Sequence, residues 1–286
     1  MKYFSFNLHL LKLPVVFFLL GTLSFFSVNS QVKSERFKVL VYTRNGKGYV
    51  HDNRAAAADM VKKLGKEKGF DVVVTDTPII FTSPGFAEFR VLIFASTNND
   101  VFDNDEQRLA FRKYIESGGG FVGIHSVMGT ERNWTWFKNM MGGSFAWHPR
   151  NQVYTIQNIR PDHPSLKNVP LVWTKQDECY FSKELYPGPE VLMAHNITTL
   201  NKDQEEEILK NAGKYNVLYP AVWYHRYDGG HIWITTLGHD IANYSDPVFV
   251  NHLFQGISYI ARLAKKKNAS KPYATGINTP LKFSNE

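Results

Sequence analysis

Histidine, acid and tyrosine residues fall at positions where they could do chemistry. His125 and Ser126 close the segment Gly118-Gly119-Gly120-Phe121-Val122-Gly123-Ile124, so an apolar strand ends abruptly at a polar pair. An imidazole at such an elbow can act as an acid, a base or a ligand, because its ordinary pKa lies near neutrality. Hydrolases place a nucleophile at this kind of turn, but no Gly-x-Ser-x-Gly surrounds Ser126, which makes its hydroxyl the weaker candidate. His148 follows Gly142-Gly143-Ser144-Phe145, His163 lies in Asp-His-Pro, and His239 ends Leu237-Gly238-His239. Asp177 and Glu178 are adjacent, with Tyr180 two places on. Like charge or burial would raise one carboxyl pKa of such a pair, giving an acid and a base from two similar groups. Any single histidine is more often structural. Several at strand ends favour a shared cleft.

The elements that must carry them read as alternating strands and helices. Residues 37–42, 70–75, 90–95 and 121–124 are short apolar β-rich runs. Residues 52–68 have helical spacing, with Met60, Val61 and Leu64 on one face and Gly69 as a natural stop. A second helix is expected after Asp103, with Glu106 completing a capping box, and it ends at Gly118. Strands apolar on both faces belong in a parallel sheet covered by helices on both sides. The expected fold class is therefore α/β, a doubly wound, mostly parallel sheet. Its ligands would sit at the carboxyl ends of the strands, where these polar residues fall. Beyond residue 150, further strands are expected at 153–159, 171–173 and 191–194. Asp228-Gly229-Gly230 marks a β-hairpin extension joining 222–227 to 231–236. A last helix is expected over about 246–265.

The chain has 286 residues, 43% hydrophobic and 21% charged, which fits a globular domain and excludes a disordered one. Residues 1–30 read as a signal peptide: Lys2 and Lys12, an apolar stretch over 13–28, and the small residue Ser30 before Gln31. That stretch is short for a membrane span, so cleavage near Ser30 and a periplasmic or secreted protein are expected. Cleavage removes two lysines and no acid, taking the net charge from +7 to +5. The remaining basic residues are scattered, apart from 265–267, so no nucleic-acid partner is expected, and no membrane after signal cleavage. Cys179 is the one cysteine, which excludes an intramolecular disulfide and a thiolate metal cluster. The domain is expected over 31–267, with 268–286 as a loosely docked tail.

Gly-Gly-Phe-Val-Gly-Ile-His-Ser (119–126), Trp134, Gly-Gly-Ser-Phe-x-x-His-Pro (142–149), Asp-His-Pro (162–164), Asp-Glu-x-Tyr (177–180), Pro-Ala-Val-Trp (220–223) and Leu-Gly-His (237–239) stand in one order. Together they resemble the ThuA-like, or trehalose utilisation, family over roughly residues 37–262. The resemblance implies a fold similar to class I glutamine amidotransferases, with His125 in place of their cysteine, and a link to carbohydrate metabolism. Carried over position by position, it implies a cleft lined by His51, His125, His148, Asp177, Glu178, Tyr180 and His239.

The resulting expectation is an enzyme, a sugar-acting hydrolase, lyase or isomerase. It would work on a trehalose-like disaccharide or keto-sugar derivative by His/carboxylate acid–base chemistry. His125, His148, Glu178 and His239 are the expected catalytic residues. His51, Trp134, Asp177 and Tyr180 are expected to bind the substrate, Trp134 as an aromatic platform. Two alternatives stay open, a saccharide-binding module without catalysis and a metal-dependent hydrolase. The histidines and Glu178 could converge on a divalent metal, yet no His-x-His or His-Glu-x-x-His spacing supports one, so no residue is assigned as a ligand and no cofactor is certain.

Overall fold

The computed structural model describes residues 1–3, 36–215, 217–264 and 271–282. The expected cleavage site near Ser30 and the basic run at 265–267 lie outside the described residues.

The first half follows the β/α reading. Strand β1 (Lys38–Tyr42) leads to α1 (Arg54–Lys68), β2 (Asp71–Thr75), β3 (Phe89–Ala95), α2 (Asp105–Glu116) and β4 (Gly120–Ile124). Side-chain alternation along the strands sorts them into two cores. Val39 and Val41 join Val61 and Leu64 of α1 on one face. Leu40 and Tyr42 join Phe111 and Ile115 of α2 on the other. Each large apolar side chain buried in this way contributes about 1.5–3 kcal/mol. Gly69 ends α1 in the left-handed region at φ 80, its N–H returning to the Gly65 carbonyl. Helix α2 is capped one residue later than the spacing predicts. The Asn104 side chain accepts from the Gln107 N–H, and Gln107 Oε1 accepts from the Asp103 N–H.

After β4 come α3 (Thr135–Met141), β5 (Ser144–Trp147), β6 (Gln152–Asn158), β7 (Val172–Asp177), β8 (Phe181–Lys183) and β9 (Glu190–Asn196). Helix α4 (Glu205–Ala212), strands β10 (Leu218–Tyr227) and β11 (Gly230–Thr235), and α5 (Pro247–Leu263) complete the chain. Asp246 caps α5 through the Val248 N–H, and Pro247 occupies its first turn.

Nine strands form one sheet in the order β2-β1-β3-β4-β11-β10-β9-β6-β7, and β5 and β8 pair separately. The pairings from β2 to β11 are parallel, and those from β11 to β7 are antiparallel. The hairpin of β10 and β11 is thus built into the sheet. Strand β11 continues the parallel half and β10 starts the antiparallel half. Strands β1, β4, β11 and β7 run in one direction, so the residues that follow them emerge at one edge.

The tail differs from expectation. Tyr273 and Ala274 donate their N–H groups to Glu116, and the Ile277 carbonyl accepts from Arg112 and Trp134. The buried Arg112 also pairs with Glu116 at 3.0 Å and Asp228 at 3.3 Å. Residues 271–282 are therefore fastened by a desolvated charge network. No described helix is long and apolar enough to cross a membrane.

Candidate active site

His51 lies between β1 and α1. His125 is the residue immediately after β4, Glu178 the residue immediately after β7, and His239 lies four residues beyond β11. His148 follows β5, and Tyr180 precedes β8. Chain direction alone therefore delivers four of them to one edge of the sheet. His125 sits in the left-handed region at φ 53, a conformation that costs a non-glycine residue about 1–3 kcal/mol. Ser96, Asn99 and Glu131 also have positive φ, so backbone strain gathers near this edge.

These side chains meet. Glu178 Oε2 lies 3.1 Å from His239 Nδ1 and 3.7 Å from His125 Nε2. Its other oxygen, Oε1, lies 3.5 Å from His148 Nε2. His239 Nδ1 is 3.3 Å from His125 Nε2, and the Tyr180 hydroxyl is 3.1 Å from that same nitrogen. The His51 ring stands edge-on to His125 with centroids 4.8 Å apart. His148 stacks on Tyr180. His51, His125 and Glu178 are buried, whereas His148 and His239 reach solvent with side chains 33% and 22% exposed.

The environment separates the protonation states. Burial, reinforced by repulsion from neighbouring histidines, pushes His51 down to about 3. Burial likewise pushes His125 down to about 4, against the attraction of Asp177 and Glu178. Burial would raise Glu178, but its bond to His239 and the nearby histidines outweigh that and hold it below its ordinary value. The same bond raises His239 against opposing burial. Near neutrality the site thus holds a carboxylate, an imidazole that readily takes a proton, and two neutral imidazoles.

A second layer fixes these groups. His125 Nδ1 donates to the Thr236 carbonyl at 3.0 Å, which leaves Nε2 as a lone pair facing Glu178 and Tyr180. His148 Nδ1 is held by the Pro149 carbonyl at 2.8 Å, so its Nε2 is likewise the free nitrogen. The Thr236 hydroxyl meets His195 Nε2 at 3.0 Å, and Tyr154 meets His195 Nδ1 at 2.9 Å. Asn53 donates to the carbonyls of Gly238 and His239, anchoring that turn. Gly238 has φ 110, where a Cβ would strike Phe249.

Asp177 and Trp134 take other places than expected. Asp177 is fully buried and turns inward. It accepts from the N–H groups of Glu178, Gly238 and His239 and pairs with Lys175. With its acceptors filled, it positions Glu178 and His239 and offers nothing to a substrate. Trp134 is 3% exposed, packs among Phe102, Phe111 and Trp136, and donates to the Ile277 carbonyl. The exposed aromatic at this edge is Tyr49, whose ring meets His51 edge-on at 4.8 Å. His163 bonds Ser165, and His225 bonds the Met140 carbonyl, so both are structural. Lys175, His195, Thr236 and Asn53 were not singled out in the sequence. Each acts through a backbone group or another side chain, and such pairings have no spacing signature. A groove of about 600 Å³ bounded by α1 and α5 is lined by other residues, among them Lys63, Glu67 and Phe254.

The model of the ThuA family, described as trehalose utilisation, matches residues 38–260. The chain belongs to this family. Its fold resembles a ThuA-like protein from Bacteroides uniformis at 23% identity and TM-score 0.63, covering 84% of this chain and 96% of that one. A ThuA-like protein from Parabacteroides merdae aligns at 20% identity and TM-score 0.61, covering 79% of this chain and 90% of that one. Comparison with curated proteins gives no match. In this ThuA chain the segments holding His125, His148, Glu178 and His239 form one cluster, whereas Trp134 and the Asp-His-Pro segment serve packing.

Proposed function

We propose that this ThuA protein is an enzyme acting on a carbohydrate, a trehalose-like disaccharide or a keto-sugar derivative, in the pocket around Glu178. The observation that carries the reading is the carboxylate of Glu178 within 3.1–3.7 Å of three imidazoles at the carboxyl edge of the sheet. The family description supports the sugar. In this reading His148 or Glu178 takes a proton from a sugar hydroxyl or from the carbon beside a keto group, and a protonated imidazole returns one to the departing or receiving oxygen. His239 is poised as that donor, because Glu178 raises its pKa. Tyr180 orients His125, and Tyr49 offers an aromatic face to the apolar side of a sugar ring. The same proton traffic serves a hydrolase, a lyase or an isomerase. We further propose that the protein is exported after removal of residues 1–30 and works in the periplasm or outside the cell.

The test is to incubate the purified chain with trehalose and with its 3-keto and other oxidised derivatives, following products by NMR. Glu178→Gln and His148→Ala are expected to slow turnover about 10²–10⁴-fold, the range for loss of a positioned acid or base. A variant as fast as the wild type would remove that residue from the mechanism.

A further inference from the structure

We propose that His51, His125, His239 and Glu178 bind one divalent transition-metal ion. Each offers a ligand atom, and the four atoms all lie within 4.8 Å of one another. Ligands around an ion with bonds of about 2.0–2.2 Å sit about 3.0–3.5 Å from their neighbours. The separations here are 3.1 Å, 3.3 Å and 3.7 Å for Glu178–His239, His239–His125 and His125–Glu178.

Two buried atoms at this place have no well-directed hydrogen bond, on residues each 6% exposed: His51 Nδ1, and Glu178 Oε2, whose one close imidazole nitrogen, His239 Nδ1 at 3.1 Å, is also shared with His125 Nε2 at 3.3 Å. An unmet buried acceptor is costly, and a cation answers the carboxylate oxygen directly. The outer shell has the form that metal-binding imidazoles need. His125 Nδ1 is tied to a backbone carbonyl, and the backbone N–H groups of Glu178 and His239 are held by Asp177. Three imidazoles and one carboxylate favour zinc, iron, cobalt or nickel over the oxygen-seeking magnesium and calcium.

The assignment shares its pocket with the sugar reading and rests on that reading only for its purpose. It makes both Glu178 and His239 ligands, so with an ion bound the proton transfers assigned to them above pass to His148, whose Nε2 is 3.5 Å from Glu178, and to Tyr180. A bound ion of this class would polarise a sugar carbonyl or hydroxyl.

The test needs no substrate. The purified chain is stripped with a chelator, dialysed, and titrated with zinc chloride in a calorimeter, with bound zinc counted by elemental analysis. One zinc per chain is expected, and His51→Ala, His239→Ala and Glu178→Gln should each weaken binding by tenfold or more. His163→Ala, outside the cluster, should bind as the wild type does. Cobalt in place of zinc should give visible ligand-field bands that His51→Ala alters. Should His125→Ala fail to fold because of its strained position, the other three variants carry the test. Absence of stoichiometric zinc, or binding unchanged in those three variants, overturns the proposal. Sugar turnover by protein that takes up no zinc would also overturn it and leave the sugar reading intact. Stoichiometric zinc with the expected variant losses but no sugar turned over would support the ion and count against the sugar.

Discussion

Replacing Asp177 with alanine tests the support of the site. Its carboxylate accepts from Gly238 at 2.8 Å, Glu178 at 2.9 Å and His239 at 3.0 Å, and it pairs with Lys175. Truncation leaves those N–H groups without their acceptor and strands the Lys175 ammonium, 5% exposed, on Asn243 Oδ1 and the Gln176 carbonyl. Breaking a buried pair in this way costs about 3–5 kcal/mol. That is a large part of the roughly 5–15 kcal/mol that holds a domain folded. At about 2–4 °C per kcal/mol for a chain of this size, the melting temperature should fall by roughly 6–20 °C. Thermal melts and urea unfolding of Asp177→Ala, Lys175→Met and the double variant measure the shift and the free energy. The double variant should recover part of the loss, because it removes the stranded charge. A single-variant loss below about 1 kcal/mol, or no recovery in the double variant, would refute the reasoning. Acid should show the same dependence. Burial would raise the Asp177 carboxyl, but Lys175, His125 and the His239 N–H together hold it below its ordinary value. Its stabilisation is therefore complete above the unfolded value of about 4 and is lost as pH falls through the lower folded value.

Other consequences can be checked in parallel. Burial pushes His195 and His252 down to about 3, so both stay neutral in the fold while the unfolded chain protonates them below about 6.5. Each should cost about 2 kcal/mol of stability between pH 7 and pH 5, and His252→Phe should flatten that slope in urea titrations at the two pH values. His239 has the opposite sign: its contribution is complete below the unfolded value and fades as pH rises through the higher folded value, so His239→Ala should lose more stability at pH 6 than at pH 9. Tyr180→Phe removes the hydroxyl beside His125 Nε2 and should lower turnover at least tenfold, with about 1 kcal/mol or less lost in stability. Arg112→Ala should cost about 3–5 kcal/mol and expose residues 271–282 to limited proteolysis, since it unpairs Glu116 and Asp228 and frees the tail.

Much of this architecture is legible in the residues. Continuous apolar runs at 39–42 and 91–95 mark strands covered on both faces, and Asp228-Gly229 marks the hairpin. What the pattern does not reveal is register and partnership. That β11 pairs in parallel with β4 follows from tertiary packing, because a two-residue turn constrains only its own two strands. Helix α3 has no distinct pattern because Thr135–Met141 is only seven residues long, and α4 has none because its acidic start reads as a solvated loop. The cluster itself was readable, since each of its histidines and Glu178 follows a strand. The role of Asp177 was not, because a carboxylate beside Glu178 looks the same in sequence whether it faces the cleft or folds back onto three amides. Trp134 misled for a similar reason: aromatic rings serve sugars and cores alike, and here the tail supplies the partner for its indole N–H.

The most direct measurement is a crystal structure of the chain soaked with a keto-disaccharide, with His148→Ala used to slow turnover. The sugar is expected at the carboxyl edge of the sheet, with an oxygen within hydrogen-bond reach of the Glu178 cluster and one ring face against Tyr49. A sugar seated in the groove between α1 and α5, with the Glu178 cluster untouched, would contradict it.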